Sequence, residues 1–63
     1  MESDVDFTVA LDCANRKIAD LNMKILQNNA ESLQNELNKW LQIKQEIYNG
    51  NTKIIKMVIN NEI

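Results

Sequence analysis

The chain has 63 residues, a single cysteine, no histidine and a formal net charge of −2. A core of this size leaves only about 3–5 kcal/mol of net stability, unless disulfides, a metal, very good packing or partners add to it. One cysteine without any histidine excludes an internal disulfide and a tetrahedral zinc site. The slightly acidic balance also argues against a nucleic-acid-binding protein, so packing and protein partners remain as sources of stability.

Residues that break regular structure are almost absent, since the chain has one glycine and no proline. The many turns of a β-sandwich or barrel depend on these two residue types. The composition therefore predicts an all-α protein.

Near the start of the chain, Ser3 followed by Asp6 resembles a capping box that opens a helix. From Leu11 onward an apolar residue recurs every 3.6 positions as far as Ile47, which is the period of an amphipathic helix. This apolar stripe passes residues 28–29 without a change of phase. It predicts one long helix from about residue 4 to residue 48, and we expect its apolar face to form the interface with other helices. The interface residues are Leu11, Ile18, Leu21, Ile25, Leu26, Leu33, Leu37, Trp40, Ile43 and Ile47.

A helical hairpin that turns at residues 28–29 is the alternative architecture. The polar segment Gln27-Asn28-Asn29 suits a turn, and Asn29 could cap a second helix that opens at Ala30. The unbroken phase of the stripe favours the long helix.

The segment Asn49-Gly50-Asn51 predicts a turn over residues 49–52. Gly50 can adopt the left-handed conformation that ends a helix, and Asn51 or Thr52 can cap the next one. Residues 53–62 then form a short helix or a strand added to a partner's sheet, and the spacing of the apolar residues in this tail favours the helix.

A long helix with one apolar face cannot bury that face against itself, so the stripe predicts an oligomeric helical bundle or coiled coil. Leu26, Leu33, Trp40, Ile47 and Ile54 recur every seven residues, as in a coiled-coil seam. At the second core position of this repeat, Lys44 and Asn51 stand where apolar residues are expected. The strict seven-residue repeat also shifts by one position near Leu26, unlike the 3.6-residue stripe, which continues without a break. Both features favour different partners along the helix, and therefore a hetero-oligomer over a homo-oligomer.

No catalytic constellation stands out. Cys13 lacks a histidine partner and is expected to be a small buried apolar residue, and Asp4 with Asp6 suits a solvated helix start. We therefore expect no enzyme activity, metal or cofactor. The leading functional hypothesis is a non-catalytic structural or interaction subunit that packs into a helical complex, with Trp40 as an anchor. The alternative is a small acidic viral or phage-type regulator that inhibits a target protein through Asp4, Asp6 and Asp12.

The lone thiol fits a reducing compartment. Neither a signal peptide nor a membrane-spanning segment is visible in the sequence. We expect an intracellular protein, in the cytoplasm or nucleus, with no membrane association.

Overall fold

A computed structural model describes the backbone of residues 2–63 and the side chains of residues 5–63. It contains three helices, α1 (Glu2–Gln27), α2 (Glu31–Tyr48) and α3 (Thr52–Ile59), and no strand within residues 2–63. Each helix contacts the other two. The all-α bundle is therefore confirmed, and its longest dimension of 41 Å matches the length of α1. The side chains of Ser3 and Asp4 lie outside the described residues, so the capping box at Ser3 stays a prediction.

The single continuous helix from residue 4 to 48 is wrong, and the hairpin alternative is what forms. The backbone leaves the helix after Gln27, and Ala30 is extended, with φ −95° and ψ 144°. Asparagine favours turns because its side chain competes for backbone hydrogen bonds. The continuous phase of the stripe did not discriminate between the two architectures. Each helix of a hairpin turns its own apolar face towards the other, whatever phase the loop leaves between them.

Asn29 does not cap α2. Its Oδ1 accepts a hydrogen bond from Gln34 Nε2 at 3.1 Å, while Ala30 occupies the N-cap position with no side-chain hydrogen bond. The Ala30 carbonyl accepts the backbone N–H groups of Leu33 and Gln34 at 3.1 and 3.2 Å. The second helix therefore starts one residue later than expected and without a side-chain cap.

The second turn forms where the sequence predicts it. Gly50 has φ +79°, its N–H donates to the Ile47 carbonyl at 3.0 Å, and the Asn51 N–H donates to the Glu46 carbonyl at 3.1 Å. This pair of bonds is the Schellman motif that closes a helix. Asn51 Oδ1 then accepts the Ile54 N–H at 3.3 Å, which caps α3. The tail is therefore a helix over Thr52–Ile59.

The core lies towards one end of the hairpin. All three helices contribute to it, through Ala10, Ala14, Leu21, Trp40, Ile43, Ile47, Ile55 and Val58. The two alanines are fully buried and allow the neighbouring helices to approach α1 closely. In contrast, no residue from 22 to 39, around the first loop, is buried. The loop end of the hairpin is therefore only two helices thick.

Among the described residues, the longest run of apolar helix falls short of what crossing a bilayer would require.

Candidate interaction surface

The predicted interface residues fall into three groups. Leu26 is the only one that is fully exposed, with 85% of its surface accessible. The side chains of Leu11, Ile18, Ile25, Leu33 and Leu37 are half-buried. The remaining four lie in the core of the chain itself and are Leu21, Trp40, Ile43 and Ile47. Folding back therefore lets the chain bury part of its own stripe, and the accessible part consists of the first two groups.

Trp40 is a core residue that all but disappears from the surface. Only 6% of it is accessible, and no acceptor for its indole N–H lies within hydrogen-bond distance among the described residues. A buried donor without a partner costs about 1–3 kcal/mol. The ring contributes packing, while its nitrogen works against stability.

An open groove of about 320 Å³ lies between α1 and the end of α3. Its walls are Cys13, Arg16, Lys17, Asp20, Trp40, Val58, Asn61 and Ile63. Cys13 is exposed, so the expectation that it is buried is wrong. The buried row of α1 runs through Ala10 and Ala14, and the residue before Ala14 lies about 100° round the helix from that row. Nowhere in the described part of the chain do three histidine, cysteine or carboxylate side chains cluster as metal ligands.

A line of accessible side chains runs along α2, and we call it the α2 stripe. Inside α2 its members are three or four residues apart in alternation, so they lie on one side of the helix, and Ala30 is the N-cap residue one turn before Gln34. Leu37 and Lys44 are half-buried, as is Ala30, whereas Leu41 and Tyr48 are 47% and 56% exposed. The α2 stripe consists of Ala30, Gln34, Leu37, Leu41, Lys44 and Tyr48.

Sequence reasoning missed most of this surface. The stripe predicted for the long helix follows Leu33, Trp40 and Ile47, which the hairpin turns towards α1 and the core. The neighbouring positions Leu41 and Tyr48 remain accessible instead. The alternating spacing of the α2 stripe was the available signal, but it could not be told from the core-facing stripe before the helix packing was known.

Further apolar side chains lie exposed on α1. Val5, Val9 and Met23 are 61%, 43% and 61% accessible. Together with Leu26 they are spread from one end of the helix to the other. They make α1 an additional apolar surface, less continuous than the α2 stripe.

The charged side chains form local pairs on the surface. Asp12 accepts from Arg16 at 3.0 Å and Asp20 lies 3.1 Å from Lys24, and each pair joins an acid to a base four residues later on α1. All four side chains are more than half exposed, so each pair contributes little to stability. Of the acids assigned to an inhibitory surface, Asp12 is thus paired, Asp6 is half-buried, and the Asp4 side chain is outside the described residues.

No family model, curated protein or solved structure matches the chain.

Proposed function

We propose that this chain is a non-catalytic structural or interaction subunit, which assembles by helix packing into a larger helical bundle or coiled-coil protein complex. The observation that carries the proposal is the amount of large apolar side chain left accessible. Leu26 is 85% exposed, and Leu41 and Tyr48 are about half exposed along one side of α2. Apolar surface of this kind, gathered on a small protein, is typical of a protein–protein interface.

The loop end of the hairpin adds to the argument. It contains no buried residue between positions 22 and 39, and Met23 and Leu26 are exposed beside half-buried Ile25 and Leu33. Fully burying one large aliphatic side chain stabilises a complex by about 1.5–3 kcal/mol. A helix from another chain that covers this end would therefore gain most of this amount from each of Met23 and Leu26, and a smaller part from Ile25 and Leu33.

The hairpin accounts for two of the three observations that favoured a hetero-oligomer, and Lys44 is the third. The phase change near Leu26 falls beside the loop, and Asn51 is the cap of α3. The choice between a second copy and a different protein therefore depends on the accessible apolar surface of α1 and α2. The exposed free thiol of Cys13 fits the reducing environment of the cytoplasm or nucleus, where we propose that the complex forms.

The test compares the wild-type chain with two surface variants in extracts of the source cells. We expect the wild-type chain to migrate as part of a larger, stoichiometric complex that can be rebuilt from purified components. The double variant Met23→Gln, Leu26→Gln or the single variant Leu41→Gln should weaken that complex while the circular dichroism of the purified chain stays unchanged. A wild-type chain that migrates free of other proteins and of itself would contradict the proposal.

The same experiment tests the alternative function, in which the chain is an acidic inhibitor of a target protein. For that function, Asp6→Asn with Asp12→Asn should release a target protein in a salt-sensitive way, whereas the leucine substitutions should leave binding intact. That outcome would replace the subunit proposal.

A further inference from the structure

We propose that the α2 stripe is a self-complementary interface, through which two copies of this chain pack their α2 helices antiparallel about a two-fold axis between Leu37 and Leu41. The inference rests on the proposed function and names a second copy as the partner of this one surface, while the loop end around Met23 and Leu26 stays available to a different chain of the complex. It starts from the alternating four- and three-residue spacing of the stripe, which is the spacing of residues at a coiled-coil seam.

The antiparallel register follows from the two-fold axis. Each copy's Leu37 faces Leu41 of the second copy, so two leucine layers lie at the centre. Gln34 then faces Lys44 of the second copy. At the outer layers, the small Ala30 faces the large ring of Tyr48. Leucine thus packs against leucine, and a small side chain packs against a large one. All the layers are formed by the same six residues of the two copies.

Charge distinguishes this arrangement from a parallel one. Lys44 is half-buried and makes no ion pair with the residues that the structure describes; its ammonium lies 6.0 Å from the centre of the Tyr48 ring. A parallel pairing in register would place two Lys44 side chains against each other. The antiparallel pairing separates them and sets each beside the amide of Gln34, about one turn from Glu31 of the second copy.

Glu31 supports the same choice. It is exposed in the first turn of α2 and takes part in no ion pair among the described side chains. The lysine near the end of one helix and the glutamate at the start of the other therefore attract across the interface. Antiparallel helices also place the positive end of one helix dipole beside the negative end of the other.

The size of the surface indicates a dimer of modest affinity. The seam extends over the whole of α2, which is 18 residues long. By helical periodicity, Leu11 and Ile18 lie on the side of α1 that faces away from the groove. Both are half-buried and would widen the contact. A stable interface buries about 800 Å² on each partner, and we expect this one to lie near or below that size, with a micromolar dissociation constant.

Sedimentation equilibrium of the purified chain tests the dimer. Between about 1 and 500 µM, we expect the wild-type chain to shift from monomer to dimer. Leu41→Lys should weaken the dimer at least about tenfold, because it places two additional cations at the centre of the seam. Leu26→Lys is the matched control, since Leu26 is more exposed and lies outside the stripe. It should leave the dimer unchanged, and circular dichroism should show equal helix content in all three proteins.

Cysteine cross-linking tests the direction. In a Cys13→Ser background, a mixture of the Gln34→Cys and Lys44→Cys chains should oxidise to a mixed disulfide dimer several times faster than either chain alone. Faster cross-linking of each variant to itself would mean a parallel dimer and would overturn the register.

A wild-type chain that stays monomeric at every concentration would overturn the inference, as would equal effects of Leu41→Lys and Leu26→Lys. A monomer that still joins a complex with a different protein in the cell extract would overturn the dimer alone and leave the proposed function standing. A monomer that joins no complex would contradict both.

Discussion

The rings of Phe7 and Tyr48 meet edge to face, with their centroids 6.2 Å apart and their planes at 64°. Phe7 lies near the start of α1 and Tyr48 is the last residue of α2, so this contact joins the two helices at the end farthest from their loop. Aromatic pairs of this geometry contribute about 0.5–1.5 kcal/mol beyond the surface they bury. The hairpin is therefore held at both ends, by the loop and by this contact.

The hairpin can be tested by measuring the distance between α1 and α2 near the Phe7–Tyr48 contact. With spin labels at Val9→Cys and Gln45→Cys in a Cys13→Ser background, we expect a distance below about 25 Å, since the cross-section of the bundle is 18 × 14 Å. A continuous helix would separate the same positions by roughly 54 Å. Pulsed electron paramagnetic resonance distinguishes the two outcomes, and a long distance would contradict the hairpin.

A glycine inserted between Asn28 and Asn29 tests the same turn by its effect on stability. Lengthening a loop by one residue costs well under 1 kcal/mol, so urea unfolding should change only slightly. The same insertion between Ala14 and Asn15, inside α1, serves as the control. It should unfold the chain, because it rotates half of the apolar face of α1 out of the core. Equal damage from both insertions would argue against a loop at residues 28–30.

Two substitutions of Trp40 separate the contribution of its ring from that of its nitrogen. Trp40→Ala should destabilise the fold by about 3–5 kcal/mol, which is enough to unfold a chain of this size. Trp40→Phe should cost far less, since it keeps an aromatic ring and removes the indole N–H that has no acceptor. Thermal unfolding followed by circular dichroism compares the variants. Equal losses would mean that the smaller ring of phenylalanine does not replace the packing of the indole ring.

Ala30→Ser should stabilise the chain. Ala30 has the extended backbone of an N-cap but no side-chain oxygen, and a serine Oγ there can accept the N–H of Ser32 or Leu33 in the first turn of α2. The expected gain is about 1 kcal/mol in the free energy of unfolding by urea. The converse control is Asn51→Ala, which removes the observed cap of α3 and should cost a similar amount. A neutral Ala30→Ser would show that α2 starts at a different residue.

Gly50→Ala should destabilise the chain by about 1–2 kcal/mol for a purely conformational reason. The backbone at Gly50 has φ +79°, while a Cβ placed there would meet no atom within 4 Å. Gly50→Asn should cost less, because asparagine tolerates the left-handed region better than alanine does. If the two variants lost equal stability in urea unfolding, the cause would be crowding and not the backbone angle.

The exposed ion pairs should matter little. Asp12→Asn removes the 3.0 Å contact with Arg16 and should lower the free energy of unfolding by less than about 0.5 kcal/mol. High salt should remove the difference between the two proteins, because it screens exposed charges. A larger loss, or one that persists in high salt, would mean that Asp12 has a further contact.

Local chemistry alone predicted much of the fold. The 3.6-residue period identified the helices. Gly50 with Asn51 identified the second turn, because a left-handed glycine often closes one helix and an asparagine side chain often caps the next. Apolar residues such as Leu21, Trp40 and Ile47 were also recognised as residues that must be covered. These properties depend on neighbours along the chain, so they can be read from it.

Only the tertiary structure decided what covers those residues. The periodic pattern is the same whether Ile47 packs against another chain or against α1 of its own, since hydrophobic burial has no direction and does not record which surface supplies it. The choice depends on whether residues 28–30 turn, and a turn there is favoured because α1 and α2 bury each other's faces. That same choice left Leu41 and Tyr48 on the outside of the bundle and moved Cys13 to the wall of a groove.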